Sequence, residues 1–202
     1  MKQCIIIGKT NVGKSLFVIQ FAAFLGMKEF VVTAKDPSGT VTRTTYTVEQ
    51  ALRELVSDKP HHTRKLQSIT VDLPAGKGVK RFEIVDTSGL IDGIPADQDI
   101  RSSMAQTLAA VRDAKLVLHM VDASRAAERG AVEAFGEVDY QVAQFALMRG
   151  GYLILANKMD LPKAREGLER IRREFSGHPI APISALKREG FREVKRFVWR
   201  WI

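Results

Sequence analysis

At 202 residues, 45% of them hydrophobic and 27% charged, the chain can bury one sizeable core and is short for two domains. Its 31 Lys and Arg against 23 Asp and Glu leave a formal charge of +8, a bias toward polyanions such as RNA or an anionic membrane surface. A single cysteine excludes an internal disulfide and no apolar run reaches the roughly 20 residues of a spanning helix, so the expected compartment is the reducing cytoplasm.

The chain opens on an apolar run, Gln3 to Ile7, read as a buried strand in which Cys4 is packing rather than a reactive thiol. Directly after it, GKTNVGKS from Gly8 to Ser15 fits the phosphate-loop pattern, and a helix is predicted over Lys14 to Met27. Glycines let backbone N–H groups turn toward phosphate oxygens, Lys14 adds a mobile cation, and the Ser15 hydroxyl is suited to ligate Mg²⁺. The run Asn11, Val12, Gly13, Lys14, Ser15 and Leu16 is the expected phosphate-binding stretch.

Further on, PSGTVTRTTYT carries five threonines, and TVEQALRELVSDKP reads as a short helix around 48–58. Thr47 and Gln50 have the spacing of a capping box, and Ala51, Leu52, Leu55 and Val56 form a stripe. His61 and His62, being adjacent, suit a loop pair better than a shared metal. Two β-rich runs follow, Ser68 to Leu73 and Lys80 to Val85, joined by PAGKG. A connection that short cannot hold a crossover helix, so the two strands are expected to form an antiparallel hairpin at one sheet edge.

The second strand runs into DTSGLIDG, Asp86 to Gly93. Asp86 and Gly89 have the look of a sensor for the last phosphate of a nucleotide, yet the next residue, where many GTPases carry a water-orienting Gln, is Leu90. Helices are then predicted over Ile100 to Ala114, Glu137 to Arg149 and Ala164 to Phe175, and strands over Leu116 to Val121, Tyr152 to Ala156 and Pro179 to Ile183. This alternation predicts an α/β, three-layer phosphate-loop fold with a six-stranded, mostly parallel sheet and one antiparallel edge strand.

NKMD, Asn157 to Asp160, stands at a strand end. A carboxylate at Asp160 can accept from both guanine N1–H and the 2-amino group, a donor pair adenine lacks; Asn157 is expected at the purine's other edge and the Lys158 stem over the ring. Ser184, Ala185 and Leu186 follow the last strand, where their N–H groups would meet guanine O6. In the final helix Phe191, Val194, Phe197, Val198 and Trp201 share a core-facing stripe, while Arg192, Lys195, Arg196 and Arg200 fall outside it with Trp199 among them. That exposed face suits single-stranded RNA; the plainer reading has Trp199 covering the core's edge under arginine stems.

With these motifs in this order, the chain resembles translation-factor-type (TRAFAC) GTPases of the Era/Der/TrmE group over essentially its whole length, and DYQVAQFALMRGGYLILANKMDLP is similar to Der-type domains. The resemblance implies one Ras-like G domain over 1–202 that binds GTP and GDP with Mg²⁺ and hydrolyses slowly, frequently in a ribosomal or RNA-related role. It implies metal ligation by Ser15, Asp86 and a switch threonine, the Thr-Arg pair matching Thr42 with Thr45 as alternate, and it makes the short helix an insertion after that switch. Catalysis would rest on Lys14, Gly89 and Asn11. In similar GTPases with Asn at this phosphate-loop position the side chain helps hold K⁺, often when two G domains pair as a nucleotide-dependent homodimer; the plain alternative is an Asn that favours the turn. Arg43 and Arg101 are rival arginine fingers. A second functional reading is a guanine-nucleotide-dependent adaptor whose hydrolysis needs a partner.

Overall fold

A computed structural model describes residues 1–35, 39–56, 66–75, 78–90, 92–93, 96–147 and 150–202. The strands are β1 (Lys2–Ile7), β2 (Glu29–Lys35), β3 (Val41–Thr47), β4 (Leu66–Ala75), β5 (Gly78–Asp86), β6 (Leu116–Asp122), β7 (Tyr152–Asn157) and β8 (Ile180–Pro182). The helices are α1 (Lys14–Phe24), α2 (Val48–Leu55), α3 (Gln98–Asp113), α4 (Ala123–Arg129), α5 (Ala131–Phe135), α6 (Glu137–Leu147), α7 (Ala164–Glu174) and α8 (Phe191–Trp201).

They build one sheet in the order β3-β2-β4-β5-β1-β6-β7-β8. From β5 to β8 neighbouring strands are parallel; β4, β2 and β3 extend the sheet in antiparallel pairs. The expected six strands are therefore eight. The β4–β5 hairpin is antiparallel as expected but interior, because β2 and β3 lie beyond it and β3 is the edge. Within β3 none of the seven residues is fully buried, so its VTRTTYT lacks the apolar alternation that marks a strand in sequence.

Alternation along β1 separates two cores. Cys4 and Ile6 face a cluster with Phe17, Phe21, Phe191 and Val198 of α1 and α8, whereas Ile5 and Ile7 face one with Val111, Phe135, Ala143 and Ile171 from α3 and α5 to α7. Burial pushes the Cys4 thiol pKa well up, consistent with a packing role. The predicted short helix is present as α2, with the Thr47–Gln50 capping box formed in both directions (Gln50 N–H to Thr47 Oγ1 3.2 Å, Thr47 N–H to Gln50 Oε1 2.9 Å). Its Ala51 is buried, and Leu52, Leu55 and the adjoining Val56 pack on the first core. Residues 57 and 58, and the His61–His62 pair, lie outside the described residues.

On the other face a buried polar chain fastens α6 to the sheet: His119 Nε2 meets Asp139 Oδ1 at 2.6 Å, and the Tyr152 hydroxyl meets His119 Nδ1 at 2.9 Å. Among the described residues no helix is long and apolar enough to cross a membrane.

Candidate functional site

The parallel strands end in a row of loops, and the sequence motifs meet there. β1 delivers the phosphate loop, whose Gly13 has φ +102°; a Cβ on it would also lie 2.5 Å from Asn157 Nδ2, so glycine is required on two counts. Lys14 is buried and donates to Gly8 O at 2.9 Å and Lys9 O at 2.7 Å, holding its ammonium inside the loop. Desolvation lowers its pKa while the Asp86 charge works the other way.

Ser15 Oγ donates to Asp86 Oδ2 at 2.5 Å, joining the start of α1 to the end of β5. Asp86 Oδ1 is buried without a hydrogen-bond partner, and burial lifts the carboxyl pKa to about 6 against the opposing pull of the Ser15 hydroxyl and Lys14. An orphaned carboxylate oxygen beside a hydroxyl is a donor set that fits a hard, oxygen-seeking cation such as Mg²⁺.

The structure does not bring the switch threonines to this pair. Thr42 pairs with Ala34, Ala34 with Gln67 and Gln67 with Asp86, so Thr42 sits in the same cross-sheet row as Asp86 but three strands away, about 14 Å at the usual spacing. Thr45, paired with Val31, lies farther along the same edge strand. Arg43 is on that strand too, opposite Thr33, and Arg101 of α3 donates to Ala96 O at 2.8 Å.

After Asp86 the chain folds back onto the phosphate loop. Leu90 N–H donates to Gly8 O at 3.2 Å, and a Cβ on Gly89 would stand 2.6 Å from Thr10 N, a backbone approach only glycine permits. Leu90, 2% exposed, is packed in the second core with Ile7 and Val85. Leu90→Gln should therefore bury an amide with no partner, costing roughly 1–3 kcal/mol of stability, and leave phosphate release no faster. A thermal melt with an unchanged midpoint, or accelerated turnover, would contradict that placement.

Asp92, two residues on, was not singled out by sequence. Its carboxylate holds Lys9 Nζ at 3.0 Å and accepts the Val138 N–H at 3.1 Å, tying DTSGLIDG to the phosphate loop and to the start of α6. Burial opposes its ionisation, but Lys9 and the backbone donors outweigh it and leave the pKa below the usual carboxylate range.

The base-binding motifs also meet, with one change of role. Asn157, expected at the purine edge, is buried: its Nδ2 donates to Val12 O at 2.8 Å and its Oδ1 accepts Ala185 N–H at 2.9 Å. It braces the phosphate loop against the 184–186 loop, and the Ala185 N–H expected at guanine O6 is engaged by Asn157. Ser184 Oγ donates to Asp160 Oδ1 at 2.6 Å and accepts Lys187 N–H at 3.1 Å, orienting the Asp160 carboxylate; Leu186 is exposed. Lys158 ion-pairs with Asp122 at 2.7 Å, and Asp122 in turn caps α4 through Ser124 N–H and Arg125 N–H. Asn11, Gly13, Lys14, Ser15, Leu16 and Lys158 line one cleft, with Val56 after α2 as a lining residue that the motifs did not indicate.

This arrangement has relatives. The 50S ribosome-binding GTPase family matches residues 3–158. GTPase Obg of Halalkalibacterium halodurans is 33% identical over 122 residues, 59% of this chain and 28% of that protein, so the chain spans little more than a quarter of that relative's length. In three dimensions the chain is similar over 100% of its length to Era of Aquifex aeolicus bound to GDP.AlF4⁻, covering 57% of that chain with a TM-score of 0.67 at 19% identity. Era in complex with MgGDPNP and nucleotides 1506–1542 of 16S ribosomal RNA gives the same score at 20% identity, over 99% of this chain and 56% of that one. Those two likenesses establish the fold, and the sequence match over more than half of the chain establishes the lineage. A phosphate loop, a buried Asp at the end of the neighbouring strand β5 and an NKMD loop braced to the phosphate loop belong together for that reason: the chain is a member of the 50S ribosome-binding GTPase family, of TRAFAC type with a Ras-like G domain.

Proposed function

We propose that residues 1–202 act as one G domain, elaborated by the β2–β3 hairpin and α2, which binds GTP with Mg²⁺ and hydrolyses it slowly as a nucleotide-dependent switch in ribosome-related work. The observation that carries this is the brace at Asn157, which bonds the phosphate loop at Val12 and the 184–186 loop at Ala185, while Ser184 holds the Asp160 carboxylate and Ser15 of the phosphate loop bonds Asp86. GTPases of this family use Mg²⁺; here Ser15 and Asp86 would hold it, and it would neutralise charge on the β- and γ-phosphate oxygens. Lys14 stabilises the same charge from within the loop, Gly89 N–H is the donor for the γ-phosphate, and Asp160 selects guanine. Asn11 offers its side-chain carbonyl to K⁺ at the edge of the cleft, where pairing of two G domains would enclose it. The ribosomal or RNA-related role rests on the family and on relatives such as the Era bound to ribosomal RNA.

A second reading, an adaptor with negligible hydrolysis until a partner arrives, is favoured by the burial of Leu90, which leaves no side chain there to orient water. Both readings need a threonine that reports the γ-phosphate. β3 carries Thr42 and Thr45 away, and the same Thr-Arg pair recurs in sequence as Thr63-Arg64, ahead of β4 and outside the described residues. Single-turnover phosphate release in Mg²⁺ should fall at least about tenfold in Thr63→Ala and stay within twofold in Thr42→Ala; the reverse order would return the role to the edge strand. Retention of the GTP-analogue form, but not the GDP form, on large ribosomal particles tests the cellular role, and equal retention of both would remove it.

A further inference from the structure

α7 and α8 are both basic surface helices, and their charges are arranged differently. On α7, Arg170 pairs with Glu166 at 2.6 Å and Arg172 with Glu169 at 2.8 Å. On α8, Arg192, Lys195, Arg196 and Arg200 make no ion pair among the described residues, and the helix's one carboxylate, Glu193, stands in its first turn. The spacings Arg192–Lys195, Arg192–Arg196 and Arg196–Arg200 put like charges on adjacent turns, an arrangement that disfavours the isolated helix. Nothing in the fold asks for it, since Phe191, Val194 and Val198 already bury the inner face.

Aromatic surface lies between those cations. Glu193, Arg196, Phe197 and Arg200 line a shallow groove, and Phe197 is half-buried at its floor. Trp199 is 36% exposed, with Lys80 of β5 4.7 Å from its ring centre and donating to its carbonyl at 3.3 Å. Lys2 Nζ donates to Ile202 O beside it. This end of α8 adjoins the start of β1, so Trp199 and Arg200 lie toward the opposite end of the strands from the phosphate loop.

From this we infer that the outer face of α8, with Lys80, is a docking surface for single-stranded RNA. It rests on the RNA-related reading proposed above and assigns that role a surface. Arg192, Arg196 and Arg200 recur at about 6 Å along the helix axis, a ladder for successive phosphates, and Trp199 and the Phe197 groove offer unpaired bases a stacking surface. Charge complementarity favours a polyanion, and the buried apolar stripe decides which one: a membrane-surface helix must insert its apolar face, which α8 spends on the core. Duplex RNA hides its bases and would leave the aromatic surface unused.

The test is fluorescence anisotropy of a short labelled single-stranded RNA across salt, with the full chain. Arg192→Gln, Arg196→Gln and Arg200→Gln together should weaken binding at least tenfold and make the log–log salt slope shallower by about 2, at about 0.7 per phosphate contact. Trp199→Ala should weaken binding about tenfold with the slope unchanged. Removing equal charge from α7, with Arg165→Gln, Arg170→Gln and Arg172→Gln, should do little. GTP hydrolysis without RNA should be unaffected in all three variants, so failure of the switch and failure of this surface are read separately. The inference is overturned by a wild-type chain that binds no RNA, by equal losses from α7 and α8, by equal affinity for a duplex, or by preference for anionic phosphatidylserine vesicles over RNA.

Discussion

GTP hydrolysis at saturating GTP and Mg²⁺ should run at least about tenfold faster in KCl than in NaCl of equal ionic strength, and Asn11→Ala should remove most of that gain. Leu90 is in the core, and the two arginines open to a finger role stand elsewhere, Arg43 on the edge strand and Arg101 bonded to Ala96. A K⁺ ion held by Asn11 would meet charge developing between the β- and γ-phosphates alongside Lys14, and an arginine finger in that position is worth about 10³ to 10⁵ in rate. Asn11 has φ +61°, a conformation Asn tolerates, so a turn-forming role and a cation-holding role both fit its backbone. Asn11→Gly separates them, since glycine keeps the left-handed turn and deletes the carbonyl. Loss of the K⁺ advantage in both Asn11→Gly and Asn11→Ala, with GDP affinity retained, places the ion in the transition state. A glycine variant that keeps the advantage would reduce Asn11 to a turn residue. Equal rates in the two salts, at low and at high protein concentration, would move the preference to the partner-activated adaptor.

Asp160→Asn should weaken GDP by at least about tenfold and gain affinity for xanthosine diphosphate. One Asp160 oxygen already accepts the Ser184 hydroxyl, which fixes the carboxylate plane. An Asn can keep that contact by turning its own oxygen to Ser184, and it then presents an NH₂ group where guanine also presents donors. Each charge-assisted bond lost costs roughly 1.5–3 kcal/mol, enough for the tenfold figure from a single bond. Xanthine carries an acceptor where guanine has its amine, which matches the new donor. Competition of GDP and xanthosine diphosphate against a fluorescent nucleotide measures the exchange, and an unchanged GDP constant would remove Asp160 from base recognition.

What sequence made legible was whatever is contiguous. The phosphate loop, DTSG, NKMD and the 184–186 loop are short words at strand ends, and the parallel half of the sheet shows as apolar runs. The added half was hidden for physical reasons: β3 has no buried face to leave an apolar imprint, so its threonines read as a switch loop and the hairpin beside it read as an edge. α4 and α5 are too short to show a helical period and are set off by Gly130 and Gly136. Asn157 was found and its partners were not, because Val12 and Ala185 come to it only through the fold. Leu90 shows the same limit, its place in the core being invisible in a motif that otherwise reads as catalytic.

The Asn157 brace also bears on how the chain comes into being. Its bond to Val12 spans 145 positions and its bond to Ala185 spans 28, so the phosphate loop, tied locally by Lys14 to Gly8 and Lys9, takes its brace from residues far along the chain. Contacts of such long range close late, after the loop entropy between them has been overcome. As the chain emerges from its N-terminus, β1 and α1 appear early while the asparagine that fixes their junction waits for β7, and the donor that fixes the asparagine waits for the turn after β8. A nascent chain should therefore carry an unbraced phosphate loop until Ala185 has been added and docked.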